Sequence, residues 1–294
     1  MGSLIQERVT DPADPLVAEL AERQFDWRVR HRYVDERAGR DAARELVEQW
    51  LPDSRLIRTP VGFLWLGPEG EHTPVYDVRA GNVDDVPDLR DLAAELATTP
   101  LAPSVFPGEP SREAFVADGQ FRLMATNMRL HVAAPLPEEK LAERAAVVPM
   151  TEDELAAYRD GAVATYARSR EEAGESPALA RATSEASFAE LLPDGRPGEG
   201  QHLFTVRTGG ERADLLWVCE RWPAQAFVYD VEIDEAFRGR GLGAAAMVHA
   251  ARWTRERGLA WLGLNVFGPN VHARDLYERL GYAVEEEHFV HSGA

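Results

Sequence analysis

A chain of 294 residues with 45% apolar content has room for two packed domains, and no stretch approaches the 18 consecutive apolar residues of a membrane-spanning helix. The formal charge of −18, with 50 acidic and 32 basic residues spread over both halves, sets the surface against nucleic acid and anionic lipid and favours cationic partners. A single cysteine, Cys219 in the apolar run LLWVC, excludes an internal disulfide and a cysteine-based metal cluster and reads as a packing residue. The start, MGSLIQERVTDPADP, has no signal-peptide core, and Gln6 stands where a myristoylation signal wants Ser or Thr. A soluble, cytoplasmic protein with no membrane partner is expected.

Apolar residues at three- and four-residue spacing predict helices over 14–36 and 39–51, the second closed by Pro52. RLIRTPVGFLWLG (55–67) and TPVYDVRAG (73–81) read as two strands joined by the polar loop PEGEH. A helix over 84–97 has acids in its first turn, the Pro-rich TTPLAPSVFPGEP reads as loop, and 119–134 is a strand. These elements make an N-terminal α/β domain over 1–134, and residues 135–144 make a linker.

The C-terminal domain, 145–294, opens with a strand over 145–150. Thr151 and Glu154 then form a capping box for a helix that runs to about 172 and is broken by GESP. A second helix covers 177–192. HLFTVRT, the turn GGER and DLLWVCE make a hairpin, and AFVYDVEI is the next strand. That strand runs into Arg238, Gly239, Arg240, Gly241, Leu242 and Gly243, followed by an Ala-rich helix over 244–257. Glycines before a helix bring bare N–H groups and the positive end of the helix dipole to one place, which suits a pyrophosphate, and two arginines add charge-assisted bonds. A Walker loop would need Lys and then Ser or Thr after its last glycine, and a dinucleotide fingerprint would need G-x-G-x-x-G. This chain has neither.

What fits is Arg-x-x-Gly-x-Gly directly after a strand, which resembles motif A of the GNAT superfamily of acyl-CoA-dependent N-acetyltransferases. In 262–282, Asn270, Ala273, Leu276, Tyr277, Gly281 and Tyr282 match the superfamily's second motif, N-x-x-A-x-x-L-Y-x-x-x-G-[FY]. The resemblance covers the C-terminal half and implies a GNAT fold: α/β, with a mixed, mostly antiparallel central sheet flanked by helices. Val78-x-x-x-Asn82-Val83, helix, Gly119 and Phe121 parallel Val266-x-x-x-Asn270-Val271, helix, Gly281 and Tyr282. The first half is therefore read either as a degenerate GNAT-like copy or as another α/β domain. It has no Arg-x-x-Gly-x-Gly and is expected to bind no cofactor.

The resemblance further implies acetyl-CoA as acyl donor and cosubstrate, no metal, and transfer to a primary amine of a small molecule or peptide within a ternary complex. Arg238 to Gly243 would hold the pyrophosphate, Val231 and Ile233 would pair with the pantetheine arm, and Asn270 would bond that arm or cap its helix, with Ala273 alongside. Tyr277 is the general acid by position and is also counted among the cofactor-binding residues, and the Val231 amide is the oxyanion donor. Asn265 stands where the ribosomal-protein alanine acetyltransferases carry a glutamate, whereas Tyr229-Asp230-Val231 looks like the Tyr-Asp-Leu of some aminoglycoside 3-N-acetyltransferases. Asp230 is therefore the first candidate base and Glu232, on the same face of the strand, the second. Tyr158, Tyr166, Glu185 and Phe188 on the two preceding helices are candidates for the acceptor pocket. His249 and His272 are assigned no role. A non-catalytic acyl-CoA sensor is the alternative reading, and monomer against homodimer stays open.

Overall fold

The computed structural model describes residues 7–135, 139–268 and 270–292, so Gln6 and residues 136–138 of the expected linker lie outside the described residues. Strands and helices follow one another twice in a single order. The first pass runs β1 (Glu7–Val9), α1 (Pro15–Gln24), α2 (Glu36–Trp50), β2 (Arg55–Thr59), β3 (Gly62–Leu66), β4 (Thr73–Ala80), α3 (Val86–Leu96), β5 (Leu101–Val105), α4 (Pro110–Val116) and β6 (Phe121–His131). The second runs β7 (Ala146–Pro149), α5 (Glu152–Ala173), α6 (Pro177–Leu191), β8 (Gln201–Thr208), β9 (Glu211–Trp222), β10 (Gln225–Ile233), α7 (Leu242–Glu256), β11 (Trp261–Phe267), α8 (Val271–Arg279) and β12 (Ala283–His291). β4 with β5 and β10 with β11 are parallel, while the hairpins β2–β3, β3–β4, β8–β9 and β9–β10 are antiparallel, as the expected mixed α/β class requires.

Two compact units divide the chain, Met1–Thr126 with Val284–Ala294, and Asn127–Ala283. In the first unit the strand order is β1-β2-β3-β4-β5-β12, with the start of β6 next; in the second the end of β6 is followed by β11-β10-β9-β8-β7. The place beside the fifth strand of each pass is thus filled by the last strand of the other pass.

Strand alternation sends successive side chains to opposite faces, and both faces of the first unit are covered. Ile57, Leu64 and Val75 pack with Leu89 and Leu92 of α3, while Leu56 and Trp65 pack with Leu20 of α1 and Val47 of α2. In the second unit Leu203, Leu215 and Trp217 meet Leu155, Tyr158 and Phe188 of α5 and α6. Three alanines, 244 to 246, are buried at the start of α7. The Thr151 and Glu154 capping box forms as read, Gly174 ends α5 in the left-handed region, and Ser176 caps α6.

Three elements differ from the sequence reading. The helix expected over 14–36 stops at Gln24 and gives way to a widened π turn, Phe25–Val29, and a 3-10 turn, Arg30–Arg32. Phe25 and Val29 pack there on Ala43, and Arg28 reaches Glu286 at 2.6 Å. RLIRTPVGFLWLG is not one strand but the hairpin β2–β3, turning where a Cβ on Gly62 would fall 1.9 Å from the Arg79 carbonyl oxygen. The Pro-rich run read as loop holds β5 and, from Pro110, the start of α4. Only Ser104 and Val105 of β5 pair with β12, so Pro103 costs that ladder no donor.

The repeat is also out of step with the one read from Val78 and Val266. By element order β4 corresponds to β10, and the two strands share the tetrapeptide Val-Tyr-Asp-Val, 75–78 and 228–231. The match extends to pairing. Trp65 lies opposite Asp77 and Leu66 opposite Val75, leaving Tyr76 as a bulge; Trp217 lies opposite Asp230 and Val218 opposite Val228, leaving Tyr229 as a bulge. Each parallel ladder ends at the valine before that tyrosine.

Candidate functional site

The bulge at Tyr229 is where the site begins. An extra residue in one strand bends it and increases its twist. β10 pairs with β11 only from Gln225 to Val228, whereas it stays paired with β9 as far as Ile233. The two parallel strands therefore part, and an opening lies between Asp230–Ile233 and the end of β11. Val231 and Ile233 both stand in this stretch without a β11 partner, so that, apart from the Ile233 carbonyl, which accepts from Arg238, their main-chain groups can meet an extended ligand.

The glycine turn follows at once. Gly239 and Gly241 have φ of 75° and 77°, a region other residues enter at a cost, and Gly241 opens α7 with no side-chain cap on the first N–H groups. Gly243 is different. A Cβ there would sit 3.6 Å from Leu276 and 3.9 Å from Ile233, ordinary contact distances, so the fold does not require glycine and the bare position fits close approach by a ligand. Arg238 donates from Nε to the Ile233 carbonyl at 3.0 Å, and Arg240 from Nη2 to the Ala236 carbonyl at 3.0 Å. Arg144 reaches the same turn, donating to the Arg240 carbonyl at 3.3 Å. The sequence reading passed over Arg144 because it lies in the linker, 96 residues from its partner.

Carboxylates gather on β9 and β10. Tyr158 Oη donates to Asp230 Oδ2 at 2.9 Å, and among the described residues no arginine pairs with Asp230. Burial pushes the Asp230 carboxyl up to about 6; the Tyr158 bond and the Val231 amide pull it down, and the Glu232 charge pushes it up. The Val231 N–H expected to serve an oxyanion lies next to the Asp230 carboxylate and favours its charged form. Asp214, which the sequence reading did not single out, is 9% exposed on β9 opposite Ile233. Burial pushes it up to about 6 as well, followed by the charges of Glu232 and Asp234.

Tyr277 is 7% exposed, and burial and then the Asp230 charge push its hydroxyl up to about 12. Asn270 caps α8, accepting from the Ala273 N–H at 3.2 Å. The Asn265 amide donates to Asn127 at 2.8 Å. Of the acceptor-pocket candidates, Tyr158 and Phe188 are packed with Trp217, and Tyr166 lies 6.2 Å from Phe267. Glu185, 54% exposed and paired with Arg181, stands apart on the surface of α6. His249 lies 3.1 Å and 3.2 Å from the carbonyls of Ala142 and Ala145, and His272 is exposed. Cys219 is buried as expected. No described helix is long and apolar enough to cross a membrane.

The acetyltransferase (GNAT) family model matches residues 155–282, which span α5 to α8 and so include the opening, the glycine turn and Tyr277. The uncharacterized N-acetyltransferase YdgE of Bacillus subtilis is 32% identical over 142 residues, covering 46% of this chain and 89% of that one. Streptothricin acetyltransferase of Streptomyces lavendulae is 34% identical over 94 residues, covering 31% of this chain and 50% of the relative. The crystal structure of a GCN5-related N-acetyltransferase from Sphaerobacter thermophilus is similar in fold over 98% of this chain and 94% of its own, with a TM-score of 0.54 at 16% identity. Family match, relatives and the strand opening beside the glycine turn agree: the chain belongs to the GNAT family and is an acetyltransferase.

Proposed function

We propose that residues 145–294 bind acetyl-CoA along the opening and the glycine turn and pass its acetyl group to a primary amine by direct attack in a ternary complex. The observation that carries this reading is the opening itself: β10 leaves β11 after Val228 while it stays paired with β9 to Ile233, directly before the glycine turn that opens α7. Acetyl-CoA, when bound, supplies the acetyl group as a thioester. Gly239, Gly241, Gly243 and the α7 N–H groups form the cradle for its pyrophosphate, with Arg238, Arg240 and Arg144 as cations. Val231 and Ile233 align its pantetheine arm, and the Val231 N–H steadies charge on the carbonyl oxygen.

Asp230 Oδ1 accepts the proton of the incoming ammonium, and a carboxyl near 6 is placed for that work at neutral pH. Tyr277 Oη holds the proton that the leaving sulfur needs. Asp214, Glu232 and Asp234 near Asp230 favour a cationic acceptor, in keeping with the streptothricin-modifying relative. The protein is expected to act in the cytoplasm. The first half, 1–134, carries no Arg-x-x-Gly-x-Gly in its sequence, and Asp84, Asp85 and Asp88 stand at the start of α3, where they would repel a pyrophosphate.

Calorimetric titration with acetyl-CoA tests the reading, with one site per chain expected and no binding at millimolar cofactor contradicting it. Tyr277→Phe should keep that affinity and lower turnover by roughly 10². An unchanged rate would remove Tyr277 from the reaction.

A further inference from the structure

The first half carries the same strand pair with a different holder for its aspartate, which makes it an internal control for the second. Arg23, on α1, places Nε 2.8 Å from Asp77 Oδ2 and Nη2 2.9 Å from Oδ1. Arg112, on α4, adds Nη2 at 3.0 Å from Oδ1. Its other bonds, both 2.6 Å, go to the carbonyls of Ser104 on β5 and Tyr76 on β4. One guanidinium therefore bridges the two parallel strands where they part, and both oxygens of Asp77 are committed to arginine.

In the second half, α5 takes the place of α1 as the helix after the first strand of the pass. It presents Tyr158, whose hydroxyl meets Asp230 Oδ2 at 2.9 Å and leaves Oδ1 without a bond to another side chain among the described residues. We propose that Tyr158 is a positioning residue for Asp230, fixing the carboxylate at the strand opening through one neutral donor so that its second oxygen faces the acceptor amine. This rests on the reading of Asp230 as the base. The ring is held for the task, with its centroid 6.3 Å from Trp217 edge-on and 6.4 Å from Phe188. A guanidinium in its place is always charged and would favour the proton-free carboxylate, making a weaker base. An unheld carboxylate would lose its rotamer. A hydroxyl avoids both.

The groups acting on Asp230 are Tyr158 from α5 and, from its own strand, Glu232 and the Val231 amide, while Asp214 on β9 and Tyr277 on α8 in turn feel the Asp230 charge. The Tyr158 bond stabilises the charged carboxylate, so removing it moves titration to higher pH.

The test uses the full chain in wild-type, Tyr158→Phe, Tyr158→Arg and Asp230→Asn forms. Asp230 is titrated by ¹³C-carboxyl NMR, with Asp230→Asn identifying the resonance, and kcat/KM is measured against pH with an amine the wild type acetylates. Tyr158→Phe should raise the Asp230 midpoint and the acid limb together by about half a unit to one unit, with acetyl-CoA affinity unchanged. Tyr158→Arg should lower both and cut the rate at neutral pH by about tenfold or more. An Asp230 midpoint that stays put in Tyr158→Phe overturns the assignment, whether or not the protein turns over. Full activity in Asp230→Asn instead overturns the base reading, and with it the reason for a positioning residue.

Discussion

Asp214 has φ of 135° and is 9% exposed, and burial together with the Glu232 and Asp234 charges holds its carboxyl near 6 against an ordinary value of 3.8. Its folded pKa lies above its unfolded one, so between about pH 4 and pH 6 the native state binds the extra proton. The stability this group contributes is present at the acid end of that window and lost as pH rises through it. At pH 7 the charged Asp214 is a cost. Asp214→Asn keeps the shape and removes the charge, and should raise stability at pH 7 by on the order of 1 kcal/mol while changing little at pH 4. Thermal melts at the two pH values check this, and an equal shift at both would show that charge is not the cause.

At the scale of the element, the glycine turn and α7 carry the cofactor reading. Gly241 sits in the left-handed region at the head of the helix, so Gly241→Ala should cost about 1 kcal/mol in denaturant unfolding and weaken acetyl-CoA binding severalfold. Unaltered affinity in calorimetry would mean that the turn is not the cradle. This turn was legible in the sequence because its determinants are local, as were the Thr151 and Glu154 capping box and the α8 motif through Tyr277. Partners set by tertiary structure were not legible. Tyr158 reaches Asp230 across 72 positions and Arg144 reaches the turn across 96, and neither separation leaves a mark in spacing. The Pro-rich stretch hid β5 and α4 because proline speaks against a strand unless the neighbouring ladder is short, as it is at Ser104 and Val105. The Val-Tyr-Asp-Val repeat was in the sequence, but only the matched bulges at Tyr76 and Tyr229 distinguish it from coincidence.

Across the whole molecule, one topology is used twice with opposite outcomes. In the first half two arginines hold Asp77, and acids replace the glycine turn before α3. In the second half Asp230 keeps a neutral partner beside an opening, a glycine turn follows, and the Asp230 charge acts on Tyr277. A duplicated chain with one active centre is the economical account, and acetyl transfer to an amine is its central claim. The direct measurement is thiol release from acetyl-CoA by the full chain across a panel of primary amines, cationic ones included. The account predicts release that depends on both enzyme and amine and appears with an N-acetylated product of matching mass. Tight acetyl-CoA binding with no amine-dependent release across that panel would contradict it and leave a sensor of acyl-CoA in its place.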